Sequence, residues 1–361
     1  MLRVPFLTDA PGFPPNDRDM STEPELGIYG IPTSFEQAQL VYIPVPWDAT
    51  CSYHAGTSQG PQGILKASDQ VDLFDMELKD IYAAGLHCLP ISEALQSWNT
   101  VARTKAETLM APQSHELDPA EQKERLLLVN ELCEKMEAHV YEECLNVLNT
   151  GKVAVVVGGD HSTSRPAIRA YAQHHKSFGI LHVDAHMDLR KQYQGFTHSH
   201  ASVMHSVIED IPEVKKLVQV GIRDYSEEEV HYQKSKKRKI IPYFDHTLSI
   251  RRSNGTSWSA MTQEIIQNLP NKVYLSVDID GLDPALCPNT GTPVAGGLQY
   301  NDLLHLVRQL VHSGKKIIGM DLVEVSPHPD GKNDWDCNVA SRLLYKLSGW
   351  LLASQKKIKF S

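Results

Sequence analysis

The chain has 361 residues, with 35 Lys+Arg against 44 Asp+Glu for a formal net charge of -9, and it is 41% hydrophobic and 22% charged. That is the make-up of an ordinary globular protein. No run reaches the roughly 18 apolar residues of a membrane span, and the acidic balance argues against nucleic acid, whose phosphates are bound by Lys and Arg. Six cysteines (Cys51, Cys88, Cys133, Cys144, Cys287, Cys337) are scattered without a C-x-x-C pair. They are too few for a disulfide scaffold and wrongly spaced for structural zinc, which points to a reducing, cytoplasmic setting.

In chain order, residues 1–36 are rich in Pro, Gly and Asp and read as an extended arm, with no apolar region for a signal peptide. From residue 37 the rhythm changes. Short, β-branched, nearly continuous apolar runs at 40–45, 153–157, 179–183, 217–221, 240–244, 273–277 and 317–322 read as strands of a parallel sheet covered on both faces. Helical patterns lie between them, at 61–69, 120–149, 166–174, 200–209, 258–268, 301–312 and about 337–352. Strict alternation predicts an α/β protein, a three-layer α/β/α domain over 37–361, although length alone suggests more than one domain. Residues 92–119 lack clear periodicity and read as an insertion leading into the long helix. The helix from 120 places Leu127, Val129, Leu132, Met136, Val140, Cys144 and Leu148 at helical spacing. The basic run Lys234–Lys239 reads as a solvated helix end before a strand.

Three of the strands end in clusters of Asp and His. These are Gly158-Gly159-Asp160-His161, Asp184-Ala185-His186-Met187-Asp188 and Asp278-Ile279-Asp280. Ligands of open parallel sheets bind outside the carboxyl ends of the strands, so the clusters should meet at one edge. Alternate residues share a direction, so Asp184, His186 and Asp188 can converge, as can Asp278 and Asp280. Four carboxylates with no Lys or Arg among them would repel in a partly dry site, and one or two metal cations are the economical answer. His161 offers a sixth ligand. His182, deeper in its strand, reads as a hydrogen-bonded core histidine, Asp283 as a turn-former, and Asp160 as support that orients His161.

GGDHS, DAHMD and SVDIDGLDPA, in that order, resemble the ureohydrolases, the family of arginase and agmatinase, over roughly residues 38–350. The resemblance implies a mostly parallel sheet of about eight strands and two divalent ions, Mn²⁺ or Ni²⁺. It implies ligation by His161, Asp184, His186, Asp188, and Asp278 or Asp280, with one Asp of each strand-end pair shared between the ions. A metal-bridging hydroxide would attack the guanidinium carbon and release urea. The proton for the leaving nitrogen would come from His200, with His198 in reserve, and Glu324 at the end of the last strand would fork the guanidinium. The family also implies a homotrimer or homohexamer acting on a small guanidino compound, with no membrane or nucleic-acid partner.

The long arm and the 92–119 segment depart from short agmatinases and look more like guanidine hydrolases, where extra segments could roof a small pocket. Free guanidine is therefore the expected substrate, with agmatine or another guanidino compound as the alternative. Thr57 and Trp335 are candidate pocket walls, and Arg190 and Lys191 read as surface charges. A catalytically silent ureohydrolase-like binding protein is the reading from a different class. It would have lost a ligand, and none of the six is missing.

Overall fold

The computed structural model describes residues 27–331 and 333–361. The expected arm lies outside the described residues up to residue 26. Its last part packs inward, with Ile28 and Tyr29 buried and the Tyr29 N–H donating to Ser68 Oγ at 3.0 Å.

Eight strands form one wholly parallel sheet in the order β2-β1-β3-β8-β7-β4-β5-β6. They are β1 Leu40–Val45, β2 Leu86–Cys88, β3 Val153–Gly158, β4 Phe178–Val183, β5 Val214–Ile222, β6 Ile240–Phe244, β7 Lys272–Asp278 and β8 Lys316–Val323. The helices are α1 Gly60–Ser68, α2 Glu93–Met110, α3 Pro119–Asn149, α4 Ser164–His174, α5 Val203–Asp210, α6 Glu227–Ser235, α7 Asp245–Ser253, α8 Trp258–Gln267, α9 Tyr300–His312 and α10 Trp335–Ser354. Strand alternation sorts the core into two layers. Val153, Val155, Leu181, Val183, Leu275 and Val277 face α1, α8, α9 and α10, while Ala154, Val156, Ile180 and Tyr274 face α3, α4 and α5. Three layers follow, as the alternation of elements predicts. No helix among the described residues is long and apolar enough to cross a membrane.

The largest departure from the sequence reading is at 92–119. Most of this segment is α2, capped by Ser92, whose Oγ accepts the Leu95 N–H. Its buried face is Leu95, Asn99, Ala102 and Ala106, correctly spaced for a helix but too small and polar to register as an apolar stripe. In α3, Leu127 is 60% exposed, and the buried stripe begins at Val129. Strand β2 has only three residues. Helix α6 opens on a Ser226/Glu229 capping box that carries little hydrophobic signal.

What matters for the site is which strands are neighbours. The three acid-bearing ends belong to β3, β7 and β4, and Glu324 follows β8. These four strands are consecutive at the centre of the sheet. Val157, Leu322, Val277 and Val183 pair across them in one row, so the chain leaves all four strands at the same level.

Candidate metal centre

Below that exit lies a second row, Gln219–His182–Ser276–Asp321, paired strand to strand and fully buried. Each interrupts an otherwise apolar strand. Gln219 Nε2 lies 3.0 Å from His182 Nδ1 and donates to Met187 O, His182 Nε2 lies 2.8 Å from Asp184 Oδ2, and Ser276 Oγ donates to Asp321 Oδ1 at 2.8 Å. His182 is thus the hydrogen-bonded histidine the sequence implies, although its position also allows it to be grouped with the ligands. Ser276, Asp321 and Gln219 were not singled out in the sequence. Their signal is a polar residue inside a strand that is apolar on both sides.

Above the row, two donor groups form. In the first, His161 Nδ1 lies 3.0 Å from Asp184 Oδ2, 3.1 Å from Asp188 Oδ2 and 3.2 Å from Asp278 Oδ2. In the second, His186 Nδ1 lies 3.0 Å from Asp280 Oδ2 and 3.4 Å from Asp184 Oδ1. Asp184 therefore turns one oxygen to each group. Backbone N–H groups fix the remaining oxygens: Asp280 Oδ1 accepts from Ala185, and Asp278 Oδ1 from Asp280. Asp188 sits at φ 54, a left-handed backbone that is costly for a residue with a side chain and is held here by its surroundings.

The first group fits a cation on its own chemistry. His161 Nε2 is 3.0 Å from Ser276 Oγ, whose proton already goes to Asp321, so Nε2 carries the imidazole proton and Nδ1 presents a lone pair. That nitrogen is buried and makes no hydrogen bond, although three carboxylate oxygens surround it. Donors bound at right angles about 2.1 Å from one ion stand about 3.0 Å apart, which is the spacing found. A lone pair facing three anions is stable only with positive charge between them. Metal ions fit, and the second group offers the same donor types.

In the metal-free protein a proton takes the cation's place: burial opposes charge on His161, but Asp184, Asp188 and Asp278 raise its pKa well above the imidazole range, so metal must displace that proton. Burial, then Asp184, pushes Asp188 up to about 7. Asp278 is also raised, by burial and by Asp280 and Asp184. Asp184 goes the other way: burial opposes its charge, but His182, His161 and His186 together hold it well below the ordinary range. In the metal-free protein Asp188 is thus largely protonated below pH 7, and metal must displace that proton. We expect metal affinity to fall as pH drops from 8 to 6, with proton release on loading. Titrating metal into the apoprotein at several pH values checks this, and a flat affinity would contradict it.

Glu324 is buried beside this centre, also with a left-handed backbone (φ 62). Its Oε1 accepts the His161 N–H at 3.0 Å, and its own N–H donates to Gly159 O at 2.8 Å. Burial, then Asp160 and Asp280, raises its pKa well above the carboxylate range. The Gly158-Gly159 turn is tight because a Cβ on Gly159 would lie 1.7 Å from Trp47 O. Asp160 caps the next turn by accepting the Ser162 N–H, supporting His161 from behind.

A cavity of about 140 Å³ opens onto the centre, lined by His186, Asp188, Arg190, Tyr193, His200 and Asp224, among others. His200 is therefore at the cavity. Burial, with His186 and His161 adding to it, pushes its pKa down to about 3, so it is neutral at pH 7. His198 is elsewhere, its Nδ1 2.9 Å from Glu137 Oε1. Two expected walls are not brought in. Thr57 is fully buried behind Cys51, and Trp335 is 45% exposed at the start of α10, its Nε1 donating to Ala285 O. Arg190 lines the cavity instead of facing away, stacked over Tyr193 and 3.7 Å from Glu229.

Comparison with known proteins agrees with this geometry. The arginase family model matches residues 38–349. The N(1)-aminopropylagmatine ureohydrolase of Thermus thermophilus is 34% identical over 298 residues, 82% of this chain and 85% of that protein. The agmatinase of Bacillus anthracis is 28% identical over 325 residues, 88% and 94% of the two chains. The crystal structure of the agmatine ureohydrolase of Thermoplasma volcanium superposes with a TM-score of 0.67 at 25% identity, covering 90% of this chain and 93% of that one. Fold, site and sequence together make this chain a member of the arginase family, a ureohydrolase of the agmatinase-like branch.

Proposed function

We propose that the substrate is a guanidino compound with a cationic amine tail, agmatine or a longer relative, hydrolysed to urea and the free amine. The observation that carries this is Asp224. Its carboxylate is 70% exposed at the cavity mouth, and its Oδ2 is 3.9 Å from His186 Nε2. A tail ammonium leaving the centre meets that charge, with Tyr193 and Tyr225 beside it. The Arg190 charge is already balanced by Glu229. The names of the relatives, aminopropylagmatine ureohydrolase and agmatinase, support the same reading. The expectation of free guanidine rests on the N-terminal arm and residues 92–119 as a pocket roof; none of 92–119 lines the cavity, and the arm up to residue 26 lies outside the described residues.

His161, Asp184, His186, Asp188, Asp278 and Asp280 would hold two divalent ions. Two imidazoles among carboxylates suit Mn²⁺ or Ni²⁺. When bound, such ions lower the pKa of water toward neutrality and so supply the nucleophile. Glu324 binds the guanidinium, and its carboxylate turns the planar N–H groups toward the centre. The leaving nitrogen must depart as an amine, and His200, neutral at rest, would relay to it the proton given up by the attacking water. Its Nδ1 is 3.3 Å from Ser199 Oγ, a hydroxyl able to give or to take a proton there.

Urea release from guanidine, agmatine, aminopropylagmatine and 4-guanidinobutyrate tests the substrate. Agmatine or its aminopropyl derivative should give the highest kcat/KM. Asp224→Asn should raise KM for these amines about two- to fivefold, the value of one exposed charge contact, with kcat within twofold. A higher kcat/KM for guanidine than for either amine would overturn the reading.

A further inference from the structure

His198 takes no part in the site just described, yet it is one of the more firmly held histidines of the chain. Its Nδ1 lies 2.9 Å from Oε1 of Glu137, in the middle of α3. Glu137 is buried, and its other oxygen pairs with Arg165 of α4. A buried carboxylate is costly unless both oxygens are satisfied, so Glu137 is stable only with Arg165 on one side and His198 on the other. Arg165 has a second partner, Asp210 Oδ2 at 2.8 Å, the last residue of α5.

These contacts bracket a single stretch of chain. His198 precedes and Asp210 ends the segment that contains the His200 turn and α5. Between them Ser199 caps the turn, with Ser199 Oγ accepting the Ala201 N–H and Ser202 Oγ donating to Ser199 O. Helix α3 holds the approach too, since Asn130 Oδ1 accepts from both the N–H and the hydroxyl of Thr197. Asn130 and Glu137 are two helical turns apart, on one face.

We infer that the Glu137–Arg165 pair, through His198 and Asp210, is a clamp that positions His200 at the cavity. His198 is a positioning residue and not the proton carrier. The inference rests on the proton role proposed for His200, and misplacement by about 1 Å can cost a hundredfold in rate.

The test compares His198→Ala, His198→Asn and His200→Ala with the wild-type holoenzyme. Asparagine keeps an N–H donor near the position of Nδ1, so it should restore what alanine removes. The deciding readout is the rate at which diethyl pyrocarbonate modifies His200, followed by peptide mapping. It should rise at least fivefold in His198→Ala and return to within twofold of wild type in His198→Asn. An unchanged rate in His198→Ala overturns the clamp. With agmatine, His198→Ala should lose at least tenfold in kcat with KM within twofold and metal content unchanged, and a loss in KM alone also overturns it. If His198→Ala does not fold, Glu137→Gln carries the same comparison. His200→Ala separates the two ideas: undiminished kcat there removes the proton role, while the modification rates still decide the clamp.

Discussion

Asp184→Ala should yield a protein that retains less than one equivalent of metal and releases urea at least about 10³-fold more slowly, the value of the several kcal/mol that metal ions contribute to such hydrolyses. The reason is its geometry. One oxygen of Asp184 faces His161 and the other faces His186, so a single truncation opens both donor groups. Asp280→Ala is the informative partner, because Asp280 approaches only the His186 group and its loss should leave one equivalent behind. Metal analysis after dialysis, beside the urea assay, reads both. Two retained equivalents in Asp184→Ala would show that the carboxylate is not shared. Asp184→Ala also strands the His182 N–H in the interior, at a cost of about 1–3 kcal/mol, so its thermal stability should be lower than that of Asp280→Ala.

The second large effect is at Glu324. Glu324→Gln keeps an oxygen for the His161 N–H, so the Gly159–His161 turn and the metal content should stay as in wild type. What is lost is the negative charge Glu324 would carry once bound cations offset the burial and carboxylate neighbours that raise its pKa, the charge that would meet the guanidinium. A charge-assisted pair in a buried site is far stronger than a neutral one, and kcat/KM should fall by at least about 10²–10³-fold. Glu324→Ala removes the backbone anchor as well and should add a smaller loss of metal. Retained turnover in Glu324→Gln would remove the residue from the mechanism.

The sequence carried the site better than the structure around it. Asp184, His186, Asp188, Asp278 and Asp280 could be seen to share one sheet edge because they end or follow apolar strands. But β4 stops at Val183 and β7 at Asp278, so turns and not strand period aim most of them and divide them between two groups. That Asp184 divides its oxygens between two groups could not be seen, because this depends on the register of β3, β8, β7 and β4, which are far apart in the chain. The polar row beneath was hidden for the same reason. Gln219, His182, Ser276 and Asp321 look like isolated blemishes until the strands are aligned. Thr57 and Trp335 lie away from this cavity, whose walls come largely from loops whose paths no periodicity encodes. Helix α2 was missed because its buried face is mostly alanine and asparagine. By contrast, the strands were legible from their unbroken apolar runs.

The hydrogen bond from the His161 amide to Glu324 has a further consequence. One carboxylate would then answer to two masters, the backbone of a metal ligand and the cation it receives. A guanidinium bound at Glu324 steadies the oxygen that anchors His161, and an ion bound at His161 steadies the same oxygen for the guanidinium. Such reciprocity is thermodynamically obligatory: whatever factor substrate adds to metal retention, metal adds to substrate affinity. A saturated enzyme should therefore surrender its ions to a chelator more reluctantly than an idle one.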